Sequence, residues 1–156
     1  MAITAMEILE RCRRAEADKR RLRERVDMYR DAAGRMTASL DGIGARGTGE
    51  TDHMATIVGE IDEVERQLAR REREHAAETA AACQLLDLLP PLECAICNRY
   101  YVRRETLRAI ALNMGYSYGY VRACKTDACR QLREVDEADM LAMLPAWYIN
   151  DEKRQR

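Results

Sequence analysis

From Ala5 to Leu40 one set of positions recurs at alternating steps of three and four: Ala5, Ile8, Cys12, Ala15, Lys19, Leu22, Val26, Tyr29, Ala33, Met36 and Leu40. That spacing predicts a single long helix with one heptad seam. Lys19 is charged, but its stem can lie over apolar surface while the ammonium stays wet. Asp41–Thr51 (DGIGARGTGET) then holds four glycines, each costing about 1 kcal/mol in a helix interior relative to Ala, so a loop is expected there. Thr51 or Asp52 can cap a second helix. Its seam runs Met54, Ile57, Ile61, Val64, Leu68, Arg71, His75, Glu78, Ala82, Leu85 and Leu89, with a weak polar middle from Arg71 to Glu78. Two such helices most simply fold back as an antiparallel hairpin, although the same seams could join two chains as a homodimer.

Pro90 and Pro91 should end the second helix and mark a boundary, because neither donates a helical hydrogen bond. Beyond them the pattern predicts helices over Leu92–Val102, Thr106–Met114, Ser117–Glu134 and Asp136–Leu144, the last closed by Pro145. Ala146–Arg156 reads as a polar tail apart from Trp147, Tyr148 and Ile149. The expected organisation is all-α: a long-helix, coiled-coil-like hairpin over 1–89 with its loop at 41–51, a small helical domain over 90–145, and a tail over 146–156.

Composition agrees with solvated helices, since 34% of the 156 residues are charged, Phe is absent and Trp147 is the one Trp. The formal net charge of -1 hides an uneven distribution. Arg99 to Arg133 carries eight bases (Arg99, Arg103, Arg104, Arg108, Arg122, Lys125, Arg130, Arg133) against Glu105 and Asp127, and Glu134–Asp139 that follows is acidic. An anionic partner meets the local charge, so the basic stretch is suited to a polyanion. No apolar run is long enough to span a membrane and no secretory signal opens the chain, which places it in the cytoplasm.

Six cysteines in a reducing compartment point to thiols or metal ligands before disulfides. Cys94 and Cys97 form C-x-x-C, but inside a predicted helix, and Cys97, Cys124 and Cys129 fall on apolar positions. They read as small core residues, so neither metal nor other cofactor is expected. His53 and His75 lie apart with no nucleophile or carboxylate constellation, and DGIGARGTG lacks the context of a phosphate loop. Catalysis is not expected.

Thr106–Leu132 (TLRAIALNMGYSYGYVRACKTDACRQL) contains what two crossing helices need. Ala111 is small enough for the crossing, Gly115 tolerates a positive-φ turn, Ser117 can cap the next helix, and Leu107, Ile110, Met114, Tyr116, Val121 and Cys124 are spaced to share a core. This frame resembles region four of the sigma-70 family. Arg99-Tyr100, Thr106-Leu107, Ile110-Ala111, Gly115, Ser117, Val121-Arg122, Ala128 and Arg130-x-Leu132 occupy the family's positions, over about a quarter of the chain. The whole layout also looks like small sigma-like regulators of phages and prophages.

The resemblance implies a helix-turn-helix that binds double-stranded DNA, in a bacterial host cell, together with host RNA polymerase. Thr106, Ser117, Tyr118, Tyr120, Arg122, Lys125, Thr126 and Arg130 are its expected DNA-contacting residues, with the tyrosines and Thr126 near bases and the cations on phosphates. Where the family places Arg-Glu and Gln on the recognition helix, this chain has Tyr118, Gly119 and Ala123, which weakens direct base readout. Two alternatives remain at this level: a packaging protein like a phage terminase small subunit, and a polymerase-binding module without specific DNA recognition.

Overall fold

A computed structural model describes residues 2–42 and 48–156, with side chains described outside 39–51. Among the described residues all regular structure is helical: α1 (Ala5–Gly42), α2 (Thr48–Leu86), α3 (Pro91–Cys97) continued by a π-helical turn (Asn98–Val102), α4 (Leu107–Met114), α5 (Tyr118–Arg133), α6 (Glu137–Ala142) and α7 (Ala146–Gln155). The expected loop at 41–51 is shorter than its glycines suggested. Gly42 and Gly49 fall in terminal helical turns, where the cost of Gly is least, and α2 begins at Thr48 rather than after a cap at Thr51 or Asp52. Positions 43–47 of that expected loop lie outside the described residues.

The chain divides into two compact units, one made of the chain up to Ala15 together with Glu74–Arg156, the other of Glu16–Arg73. In the second unit α1 and α2 pair antiparallel within one chain. Arg23 Nη2 reaches Glu72 Oε1 at 3.3 Å and Arg30 Nη2 reaches Glu65 Oε1 at 2.5 Å, so one heptad forward in α1 meets one heptad back in α2. These pairs are exposed and contribute little on their own; the seam sets the pairing. Lys19, Val26, Ile57 and Val64 are buried, and Leu22, Tyr29, Met54, Ile61 and Leu68 half-buried. Lys19 takes its seam position with the stem covered and its ammonium 2.7 Å from Glu16 Oε1.

The first unit carries two clusters of buried side chains. The larger one joins Ile8, Leu9 and Cys12 of α1, Ala81, Ala82, Leu85 and Leu86 of α2, Cys97, Tyr101, and Ala128, Cys129 and Leu132 of α5 to Met140, Leu144 and Tyr148. Pro90 and Pro91 lie within this unit, and Pro91 opens α3 as its first residue, a position where the missing N–H is harmless. The segment expected as a polar tail contains α7, with Tyr148 only 1% exposed. Sequence pattern missed it because the burial depends on partners far along the chain. Tyr148 donates to Glu78 Oε1 at 2.8 Å, and Arg11 Nη1 donates to the Tyr148 hydroxyl at 2.8 Å and to Glu152 Oε1 at 2.5 Å.

Glu78 sits at a position that read as weak and polar, and it is 1% exposed. A buried carboxylate is tolerable only when its oxygens are satisfied, which the Tyr148 hydroxyl does in part. Burial works against the Arg11 charge, but its hydrogen bonds to Glu152 and Tyr148 more than compensate, leaving its pKa above the ordinary value. Burial and then the Glu78 charge push the Tyr148 phenol up, so it stays a donor. The Arg11 hydrogen bonds hold the Glu152 carboxyl below its ordinary value.

Tyr148→Phe removes a donor to a buried carboxylate and should destabilise by about 1–3 kcal/mol in denaturant unfolding, whereas Tyr118→Phe, at an exposed site, should stay within about 0.5 kcal/mol. The sign for Glu152 follows from its lowered pKa. Its contribution is fully present above the ordinary value of 4.5 and is lost as pH falls below that through the depressed value. A melting-temperature series in acid should therefore fall more steeply for the parent than for Glu152→Gln, and parallel curves would contradict the network.

Candidate nucleic-acid interface

The α4–α5 segment is built from local signals. Thr106 is the N-cap of α4, its hydroxyl accepting from Ala109 N at 3.2 Å, and Ser117 is the N-cap of α5, accepting from Tyr120 N at 3.2 Å. Between them Gly115 adopts φ 75°, and its N–H and that of Tyr116 both return to the Ala111 carbonyl. Left-handed backbone at a helix end is where Gly is strongly favoured. The turn closes over a small cluster of Ile96, Ile110, Ala111, Val121 and Cys124, with Leu92, Tyr100, Leu107 and Met114 packed at its edge.

Five of the six residues expected to share this cluster do so; Tyr116 does not. It is 42% exposed, and its ring lies 5.1 Å from that of Tyr120. Two hydrogen bonds to Ala111 fix the chain in a tight reversal just before it, which carries the Tyr116 ring to the outside of the turn. The predicted Leu92–Val102 helix is likewise split. After Cys97 it widens into a π-helical turn closed by Arg103 N to Asn98 O at 3.1 Å, and the end is bound from α1 by Arg13, whose Nη1 donates to the carbonyls of Tyr100 and, at 3.1 Å, Glu105.

The outer side of α5 carries the expected contact residues unevenly. Gly119, Ala123, Thr126 and Arg130 recur at helical spacing along the exposed face, with Tyr118 and Arg122 beside them, all exposed. Tyr118 is 44% exposed and sits under the Arg108 guanidinium, 5.5 Å from its ring centroid. Tyr120, 46% exposed, is turned elsewhere: its hydroxyl pairs with Cys124, which raises its pKa, and its ring meets Tyr116. Thr126 donates its hydroxyl to the Arg122 carbonyl at 3.0 Å, so it offers an acceptor and a methyl but no donor.

The cations divide too. Arg122 is exposed and makes no ion pair among the described residues, and Arg130 is exposed but paired with Asp127 at 3.2 Å. Lys125 is half-buried, with its ammonium 4.5 Å from the Tyr100 ring centroid on the inner side of α5. Arg13 stacks on the same ring at 3.8 Å, which makes Lys125 part of the packing that fixes α5. Arg108 is exposed on α4, with its guanidinium beside Tyr118 of α5. Sequence reasoning had counted it among the bases without assigning it, because nothing in linear spacing ties Arg108 to a side chain across the turn.

Cys12, Cys97, Cys124 and Cys129 are buried and Cys83 exposed, and all six cysteines are free. Burial, with the neighbouring Cys129 next, pushes the Cys97 thiol up to about 12. No group of three or more His, Cys, Asp or Glu able to hold a metal ion occurs among the described residues. No helix among them is long and apolar enough to cross a membrane. Neither protein-family models nor curated proteins nor solved structures gave a match to the chain.

Gly115→Ala should cost about 1–2 kcal/mol through backbone strain alone, since a Cβ there meets nothing within 4 Å. Repair of that variant by removing a neighbouring side chain would show the cost to be steric instead. Thiol labelling under native conditions should modify Cys83 first and reach Cys12, Cys97 and Cys129 only on unfolding. Early loss of Cys97 in mass-resolved kinetics would contradict its place in the core.

Proposed function

We propose that α4 and α5 form a helix-turn-helix whose second helix, α5, enters the major groove of duplex DNA, in a phage- or prophage-encoded, sigma-like transcription regulator that acts at a promoter with host RNA polymerase. The observation that carries this reading is the joint arrangement of two side-chain-capped helices, a left-handed Gly115 between them, a small core they share with α3, and an outer α5 face bearing Arg122 and Arg130 beside Arg108. Such a frame presents cations to phosphates flanking a groove-sized helix. The sigma-like assignment and the polymerase partner rest on the motif resemblance of Thr106–Leu132.

Duplex DNA binding measured across a salt series is the test. Arg122→Ala with Arg130→Ala should weaken binding to all sequences alike and flatten the slope of log affinity against log salt by about 2, one for each phosphate contact. Unchanged affinity would remove α5 from the interface. Lys125→Ala is not an equivalent variant, because it disturbs the Tyr100 stack as well. A footprint on promoter DNA with and without polymerase then tests the regulatory role.

One observation favours a second reading, a polymerase-binding module with little sequence recognition. Gly119 and Ala123 stand at the centre of the outer face, and neither can hydrogen-bond a base edge. Polymerase binding retained in the absence of DNA affinity at low salt would select that reading.

A further inference from the structure

Arg104 is the one residue other than Gly with positive φ among the described residues, at φ 61°. It stands where the π-helical turn ends: the Glu105 N–H returns to the Arg99 carbonyl at 2.9 Å, and Arg104 supplies the left-handed residue that makes this possible. Gly is the ordinary occupant of such a position, because a Cβ is disfavoured there. The turn itself is held without the Arg104 charge, by that hydrogen bond and by Arg13 from α1. The Arg104 side chain makes a long bond to the Val102 carbonyl, 3.3 Å, and is otherwise exposed. Nearby Glu105 faces Arg99, at 3.8 Å, and Arg104 itself has no carboxylate partner among the described residues.

We infer that Arg104 is kept in this strained conformation because it binds a phosphate of the DNA backbone, at a cost in stability that Gly would relieve. The inference rests on the helix-turn-helix reading. In that docking mode the first helix crosses the sugar-phosphate backbone. Arg104 lies two residues before the α4 N-cap, Thr106, and Arg103 and Arg108 are exposed on either side of it. A guanidinium offers paired donors to phosphate oxygens, and the electropositive start of α4 adds to the field. The partner chemistry is a phosphodiester and carries no base information, which matches an outer α5 face poor in base-reading groups.

The test measures stability and DNA binding on the same full-length variants, with a mixed-sequence duplex as probe. Arg104→Gly should melt at or above the parent temperature, bind about ten-fold more weakly at low salt, and show a salt slope shallower by about 1. Arg104→Lys should keep the parent slope. Arg104→Gly with unchanged affinity and slope overturns the inference, and so does a lowered melting temperature, which would make Arg104 a structural cap. The Arg122 and Arg130 double variant separates the two levels. If it loses binding while Arg104→Gly does not, only the phosphate role of Arg104 falls. If the parent binds no duplex even at low salt, the helix-turn-helix reading falls with it.

Discussion

A carboxylate buried in the later part of α2 dictates much of the first unit. Glu78 is almost without solvent contact, and water must be replaced by donors within the protein if its charge is to be tolerated. The Tyr148 hydroxyl is one such donor, and that hydroxyl is itself held by Arg11, which is tied to Glu7 and Glu152. Residues from the start of α1, the later part of α2 and α7 are therefore bound in one polar chain inside an otherwise apolar cluster. Removing any one of these elements takes a hydrogen-bond partner from another. This reciprocity makes α7 an integral part of the unit despite its charged composition.

From that closure follows the placement of α5. Its later half, through Ala128, Cys129 and Leu132, belongs to the large cluster that Tyr148 helps complete, while its earlier half, through Val121 and Cys124, belongs to the small cluster shared with α4. The Tyr100 ring packs against both clusters, and two cations, Arg13 from α1 and Lys125 from α5, lie against it. The inner side of α5 is thus fixed along its length. Only its outer side is left exposed, so the side chains on that side are presented from a rigid base.

Much of this was legible in the sequence, and the reasons differ by element. Both long seams were readable because burial repeats with the helix period, and the seam even located Lys19 and Glu78 on the inner side although both are charged. The α4–α5 caps and the Gly115 turn were readable because they depend on backbone chemistry within a few residues. What could not be read depends on contacts distant in the chain. Tyr116 and Tyr148 are of the same residue type, each in a short apolar context; one ends exposed and the other buried, decided by a tight turn in the first case and by Glu78 and Arg11 in the second. Lys125 shows the same limit, since its periodicity leaves open whether it faces outward or lies over Tyr100. The π-helical turn, completed from α1 by Arg13, lies beyond any local pattern.

The chain is nearly neutral overall, yet electrostatics still bears on the proposed interface, because exposed charges act over roughly 8–10 Å at ordinary salt. Arg103, Arg104, Arg108, Arg122 and Arg130 are exposed along this segment, Arg130 paired with Asp127, while Glu105 is held by Arg99. In the acidic run after α5 the Asp136 carboxylate caps α6, accepting from Asp139 N at 2.8 Å, while Glu134, Asp136, Glu137 and Asp139 all stay exposed and bound the basic segment. A face of this kind has attraction in excess of discrimination. Gly119 and Ala123 let a helix approach closely but distinguish no base pair by hydrogen bonding, and Thr126 has already used its donor. Under the proposed function, sequence selectivity would therefore have to come from a partner that fixes the register on DNA rather than from α5 itself.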